Sequence, residues 1–416
     1  MKAVLAKHYE RVVCACCFLF IFVNIGLPST SFNVYQTYIV ATPGVGDTGG
    51  SLVLACRTLV SLICMFLVVK WYQFFDCRLG VTIACFLTCA GFVIYGFAGN
   101  LWQFMIGAVV AGAGYGLGGM VCMTFLVGRW FESNVGTAVG IASCGSGVAS
   151  MLMPVVAHAL IENFSLSVSF WVEAGIALVV GLLVVLLLRN RPEEMGLEKY
   201  VNPHELEDDK PHVHMGATRP LKPIAHHAMF VGMVCIGSIS IAGFGYLGIL
   251  MTSSGFPAFY SAIMLSVAGL ALTMGKFLTG IVFDAVGTRM GSAIFFVMMI
   301  AGLLICCFAG LQNQALTAVG MVLLGLGAAL GTVGISVWSL DLSTTMERGR
   351  LVKDLQIAYN SGGFLFNLLP GVLMELTGTY TVSYGILTVL GTLAFVIVMI
   401  IYLQKGPSVV GNIRRR

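Results

Sequence analysis

This chain of 416 residues is only 10% charged and 58% apolar, with a mean hydropathy of +0.95, more apolar side chain than a water-soluble fold can hide. Its net charge of +4 is not gathered into a basic patch with interleaved aromatics outside Arg414–Arg416, so nucleic acid is not an expected partner. All but two of the 22 Lys and Arg residues lie near the chain ends or in every second gap between long apolar segments, a sorting that orients a multi-pass membrane protein with both termini cytoplasmic.

Segments of about twenty apolar residues, enough to cross a bilayer, run over 12–38, 49–70, 80–98, 101–128, 135–163, 165–188, 223–252, 259–284, 290–310, 313–343, 355–377 and 380–403. The first follows Lys2, Lys7 and Arg11, a flank that also suits a signal peptide. The run continues to Tyr38 and further spans follow, so it reads as a retained span. Lys70 and Arg78, Arg129, Arg289, and then Arg348, Arg350 and Lys353 fill the even-numbered gaps. One long polar connection divides six spans from six, and it carries Glu205, Glu207, Asp208 and Asp209 beside His204, His212 and His214. It reads as a solvated linker rather than a metal site. The predicted organisation is a six-helix bundle at 1–188, a cytoplasmic linker at 189–222, a second bundle at 223–403 and a basic tail at 404–416 that opens with Lys405. The fold class is all-α. The 13 cysteines, including the Cys14-x-x-Cys17 pair, read mostly as small packing residues. No metal or cofactor is expected.

The halves repeat weakly. Gly112, Gly114, Gly116 and Gly118 answer to Gly325, Gly327, Ala329 and Gly331; Ile141-Ala142, Gly147 and Pro154 answer to Ile357-Ala358, Gly363 and Pro370; Arg78-x-Gly80 answers to Arg289-x-Gly291. This is the pattern of a duplicated six-helix unit. Between spans eight and nine stands Gly280-x-x-x-Asp284-x-x-Gly287-x-Arg289. Gly280 suits a close helix approach, Asp284 a helix-end hydrogen bond, Gly287 a tight turn, and Arg289 an anchor at the interface. The motif resembles the cytoplasmic latch of the major facilitator superfamily. In the first half the equivalent positions are Val69, Gln73, Asp76 and Arg78, so only the arginine is kept. Arg129-Trp130-Phe131 and Arg189-Asn-Arg-Pro192-Glu193-Glu-Met-Gly196 narrow the resemblance to the oxalate:formate antiporter and monocarboxylate transporter branch.

The two basic residues outside the sorting are Arg57 and Lys276, each about 12 Å into the membrane by helix rise. A cation at that depth needs compensation. Lys276 shares a helix face with Ser266, Gly269, Thr273 and Gly280, a face suited to a water-filled cavity, and the resemblance implies that a base at this position binds substrate carboxylate. A structural pair with a neighbouring acid is the other reading. The antiporter's second lysine, in span eleven, is replaced at about Gly362, and the acid four residues before the base in animal-type carriers is Leu272 here. Arg57 suits either an assisting anion contact or an outer gate. Asn24, Tyr35, Gln36, Tyr115, Trp338, Tyr359 and Asn360 are further candidates on spans that the resemblance implies line the cavity. His158 is the candidate proton-coupling group, and Glu173, on span six, is expected away from the cavity. Pro28, Pro154 and Pro370 are candidate bending points.

No nucleophile, base and orienting group assemble at one depth, and no Walker motif is present, so an enzyme or ATP-driven pump is not expected. The expectation is a monomeric secondary transporter of a small mono- or dicarboxylate in a bacterial cell membrane. It would work by alternating access, with exchange favoured over proton symport. An efflux carrier for amphipathic compounds and a non-transporting sensor on the same fold are the rivals.

Overall fold

The computed structural model describes residues 9–131, 135–200, 221–344 and 348–405. The linker residues Glu205–Asp209, His204, His212 and His214, and the tail residues Arg414–Arg416, lie outside the described residues, as do the side chains of Asp284, Arg348 and Lys405. The apolar segments fold as helices, the arrangement that lets a backbone in lipid satisfy its own hydrogen bonds. In chain order these are α1 (Tyr9–Ile21), α2 (Tyr35–Val40), α3 (Gly46–Phe74), α4 (Asp76–Phe97), α5 (Leu101–Leu117), α6 (Met120–Trp130), α7 (Val135–Asn163) and α8 (Leu166–Leu187). The second half holds α9 (Pro223–Gly237), α10 (Leu247–Ser253), α11 (Ala258–Val286), α12 (Thr288–Cys307), α13 (Gln314–Ala328), α14 (Val333–Leu342), α15 (Arg348–Asn367), α16 (Pro370–Thr377) and α17 (Thr381–Lys405). Three helices that follow short loops begin on side-chain caps: Asn100 accepts from the Gln103 N–H at 3.1 Å, Ser165 from Val168 at 3.2 Å and Asn313 from Leu316 at 3.0 Å.

Among the described residues, 11 helical stretches are long and apolar enough to cross a membrane. The predicted span 355–377 is not one of them. It breaks into α15 and α16 because Pro370 has no N–H to continue the ladder. Four other spans are interrupted. A π-helical stretch, Phe22–Ser31, separates α1 from α2 and encloses Pro28; a second, Ser238–Gly243, follows α9. Gly118-Gly119 divides α5 from α6, and a 3-10 turn, Ala329–Gly331, divides α13 from α14. Pro154, in contrast, is accommodated inside continuous α7.

The chain divides into two compact units, one of Met1–Phe32 with Cys56–His212 and the other of Asn33–Ala55 with Val213–Arg416. In the first unit, Gly112 of α5 crosses α3 so closely that a Cβ there would stand 2.5 Å from the Arg57 carbonyl oxygen. In the second, Gly325 of α13 meets the Ala268 carbonyl of α11 at the same 2.5 Å. Gly80 packs on Tyr72, and Gly291 packs on Phe283. Each pair in the second unit sits at the position equivalent to its counterpart in the first, so the sequence repeat is a repeat of helix crossings.

Residues 33–55 are built into the second unit by hydrogen bonds. Tyr380 donates to Asp47 at 2.6 Å, Ser51 accepts from Tyr246 at 2.9 Å and from the Gly371 N–H at 2.7 Å, and the Thr48 N–H reaches Glu375 at 3.3 Å.

Candidate substrate site

In the second unit, α11 shows three faces. Leu270, Met274, Phe277 and Ile281 are exposed and apolar, as lipid requires. Ala268, Ala271, Leu272 and Thr279 are buried against neighbouring helices. The third face carries Ser266, Thr273, Lys276 and Gly280, all half-buried. Thr273 returns its hydroxyl to the Gly269 carbonyl at 2.9 Å, while the Ser266 hydroxyl is buried with no hydrogen-bond partner. Lys276 therefore lies away from the lipid face, on the strip of this helix that is polar and partly accessible.

Next to Lys276, Gly275 brings α11 against the broken span: a Cβ there would stand 3.1 Å from Ala329 Cβ. At the other end of that 3-10 turn, a Cβ on Gly331 would stand 2.7 Å from both Ser240 Oγ and Tyr359 Cε2. The turn thus ties the Lys276 helix to the π-helical stretch that holds Ser240 and to α15, which carries Tyr359 and Asn360. Irregular helix of this kind leaves backbone and side-chain polar groups outside the usual ladder, and it recurs at functional sites. Ser240 Oγ and Asn360 Oδ1 are buried with no hydrogen-bond partner, whereas Asn360 Nδ2 donates to the Gln356 carbonyl at 2.9 Å. Ser240 was not among the sequence candidates; its only sequence signal is a serine in an apolar segment, shared by many packing residues. Gln36, on α2, is fully buried and neither amide atom has a hydrogen-bond partner; neighbouring Tyr35 is also fully buried.

Several candidates take other roles. Trp338 is a core residue that donates to Ser292 Oγ at 2.9 Å and stacks on Phe296 with centroids 6.1 Å apart. Asn24, in the first unit, accepts from Thr88 at 2.8 Å and donates to the Gly118 carbonyl at 3.3 Å and Cys85 Sγ at 3.4 Å, so its amide is fully used where span four breaks. Both side chains hydrogen-bond between helices in this structure. Gly280 meets nothing within 4 Å at its Cβ position, so the close approach on this helix belongs to Gly275 instead. Gly362 lies too close to the Val234 carbonyl to carry any side chain, and Ser238 donates to the Gly362 carbonyl at 3.0 Å. A lysine of the antiporter type cannot occupy that position in this packing.

Arg57 lies in the first unit and is 4% exposed. Its Nη1 donates to the Pro28 carbonyl in the π-helical stretch, and its guanidinium lies over the Phe32 ring, 5.4 Å from the centroid. The Tyr115 hydroxyl, hydrogen-bonded to Ser29, is within electrostatic reach of it. Arg57 thus fastens the irregular part of span one to span two. His158, on α7, is 6% exposed.

Where α4 begins and α8 ends in the same unit, Arg78 donates through Nε to the Val185 carbonyl at 2.9 Å, and its N–H is met by Asn190 Oδ1 at 2.8 Å. Trp130 donates to the Arg189 carbonyl at 3.1 Å, and the Tyr200 N–H donates to the Trp130 carbonyl at 2.8 Å. The two distant segments that carried the branch resemblance therefore pack on each other. In the second unit Gly287 turns the chain at φ +82°, and Arg289 is exposed.

Comparison with known proteins agrees with this architecture. Monocarboxylate transporter 12 of Xenopus laevis is 33% identical over 92 residues, 22% of this chain and 20% of that protein. Its Mus musculus counterpart is 31% identical over 91 residues, 22% of this chain and 18% of that protein. The chain thus spans about a fifth of the length of these curated relatives. Among solved structures, the nucleoside transporter NupG superposes with a TM-score of 0.72 at 12% identity, over 94% of this chain and 100% of that one. A bacterial homolog of the lysosomal transporter Spinster gives 0.72 at 13% identity, over 95% and 98%, and a D-xylose-proton symporter gives 0.71 at 13%, over 93% and 96%. At such identities these likenesses speak for the fold alone. The family model of the Major Facilitator Superfamily matches residues 14–289, and the chain belongs to that superfamily of multi-pass membrane transporters.

Proposed function

We propose that this transporter carries a small organic anion, a mono- or dicarboxylate, and that Lys276 neutralises its carboxylate. The observation that carries the reading is the position of Lys276: a cation within a span, on the partly accessible polar strip of α11 and beside the break in span ten. An intramembrane charge is retained where it serves a pathway, and an anionic cargo matches its sign. Tyr359, Asn360, Ser240 and Gln36 would supply hydrogen bonds to the neutral part of the cargo, and Arg57 and Tyr115 would hold span one in shape. The partial likeness to monocarboxylate transporters supports the same substrate class. Movement would follow alternating access by the two halves, in the cell membrane and with both termini cytoplasmic as the charge sorting indicates. The coupling is by anion exchange or by protons.

The experiment is a thermal-shift screen of the purified protein against small carboxylates, with Lys276→Gln alongside. A ligand of the folded state raises Tm by mass action, about 2.7 kcal/mol of stabilisation at a hundred times Kd. Stabilisation by a few carboxylates that disappears in Lys276→Gln is the expected result. Stabilisation of both proteins by neutral or cationic amphipathic compounds, with none by carboxylates, would transfer the assignment to efflux.

A further inference from the structure

Span six carries a single acid, Glu173, and it is fully buried; span five carries a single histidine, His158, 6% exposed. The family resemblance alone implies a place away from the cavity for the acid. The helix register changes that reading. The Ser169 hydroxyl of α8 donates to the Ala157 carbonyl of α7 at 3.4 Å, which sets the two antiparallel helices level at that point. Glu173 is one turn beyond Ser169 on the same face of α8. His158 follows Ala157 in α7. Side chains lean toward the N-terminus of their own helix. Because the helices are antiparallel, His158 leans down toward Glu173 and Glu173 leans up toward His158. Their levels on the helix axes are separated by about five residues, or roughly 7.5 Å of rise. Two long side chains leaning toward each other span that separation.

We propose that His158 and Glu173 form a buried acid–base pair across α7 and α8, and that this pair is the proton-binding element of the transporter. The inference rests on the carboxylate-carrier reading for its role and on helix register for its geometry. A carboxylate held beside an imidazole couples the two protonation equilibria. The surroundings leave few competitors. The π-helical stretch Phe22–Ser31 contributes no titratable side chain, and α4 brings Cys89 and Tyr95 to the outer half of the bundle. On α7 itself Glu162 is one turn further out and exposed. Tyr9, Glu10, Arg11, Cys14, Cys16 and Cys17 of α1, Asp76, Cys77, Arg78 and Cys85 of α4, Cys122 and Arg129 of α6, and Cys144 of α7 lie in the half of the bundle away from Ser169. Arg57 stands on the Phe32 ring, whose centroid is 6.3 Å from Phe170, the residue one turn before Glu173.

An infrared pH titration of the purified protein follows the protonated-carboxyl band without any substrate. Glu173→Gln should remove one titrating band, and His158→Gln should move its midpoint by about one pH unit or more. In vesicles, the carboxylate selected by the melting screen is then given either as labelled-for-unlabelled exchange or with an acid-outside gradient. Both variants should retain exchange within about twofold and lose at least tenfold of the gradient-driven uptake, and the double variant should be no worse than either single one. A band indifferent to His158→Gln would dissolve the pair. Equal loss of exchange and gradient-driven uptake would reduce it to a structural contact, and wild-type uptake indifferent to the gradient would remove its coupling role. If the screen selects no carboxylate, the substrate assignment fails, while the infrared titration still decides whether the pair exists.

Discussion

The turn after span two and the turn after span eight occupy equivalent places in the two halves, and each pivots on a residue of positive φ, aspartate in one and glycine in the other. In the second half Gly287 takes φ +82° and ψ 157°, a region open to glycine alone, and Gly291 seats the Phe283 ring. In the first half Asp76 stands where the glycine would be, yet still holds φ +56°, and Gly80 seats the Tyr72 ring. Aspartate is among the few residues that tolerate that region. Tyr72 adds what Phe283 cannot, a hydroxyl that donates to the Leu117 carbonyl at 2.6 Å, where α5 ends. Arg78 has turned to the end of α8, whereas Arg289 is exposed. The latch motif of the first half has thus lost its letters and kept its turn. What is duplicated is the crossing geometry. The chemistry has diverged: the position equivalent to Arg57 is Ala268, and the one equivalent to Lys276 is Met65.

The comparison breaks first at the crossings. Gly112→Ala and Gly325→Ala would each push a Cβ onto a carbonyl oxygen of the neighbouring helix backbone, which cannot swing aside as a side chain can. Each should cost about 3 kcal/mol, the upper end of overpacking effects, and similar drops in Tm for the two variants would confirm that the crossings are equivalent. The turns should respond unequally. Gly287→Asp should cost about 2 kcal/mol, because its ψ lies outside the region that aspartate tolerates. Asp76→Gly should change stability by less than about 1 kcal/mol, since relief of the positive φ is offset by the entropy of glycine in the unfolded chain. Equal responses to the two swaps would mean that the two positions share one backbone conformation after all. Arg78→Ala should cost about 1–2 kcal/mol through its lost charge-assisted bond, against almost nothing for Arg289→Ala, by melting in the same detergent.

The smallest effect concerns the segment 33–55, which sequence order assigns to the first half and packing assigns to the second unit. Burial, and then the hydrogen bond and charge of Asp47, push the Tyr380 hydroxyl well above the usual tyrosine range. A raised folded-state value favours the fold fully below the unfolded-state value of about 10, and the contribution is lost as pH rises above it. Tyr380→Phe should therefore lose stability at neutral pH and show a shallower alkaline decline in Tm than the wild type.

Much of this was legible before any coordinates. The apolar runs announced the spans because a segment of about twenty apolar residues has to be helical to cross lipid, a local rule. Pro370 announced a break because a proline cannot complete the ladder. Pro154 announced one too and was absorbed into α7, where packing overrode local preference. Asn24 and Trp338 looked like cavity residues because a polar atom in an apolar segment does not reveal whether its partner is a ligand or the next helix. Their bonds to Gly118 and Ser292 come from distant segments.

Composition and charge order determined the multi-pass membrane architecture and the two displaced cations, because the energy of a charge in lipid depends on depth and little on neighbours. The loop motif from Gly280 to Arg289 pointed to the superfamily, and the repeat pointed to a duplicated unit, because small residues sit where two backbones meet. Tertiary structure alone decided that Arg57 is fastened to the Pro28 carbonyl and that Lys276 lies on a partly accessible strip. It also decided that Gly362 excludes a side chain and that Ser240 and Tyr359 both border Gly331 at the break in span ten. Each of these depends on contacts between helices far apart in sequence, and helical periodicity defines a face without defining what stands opposite it.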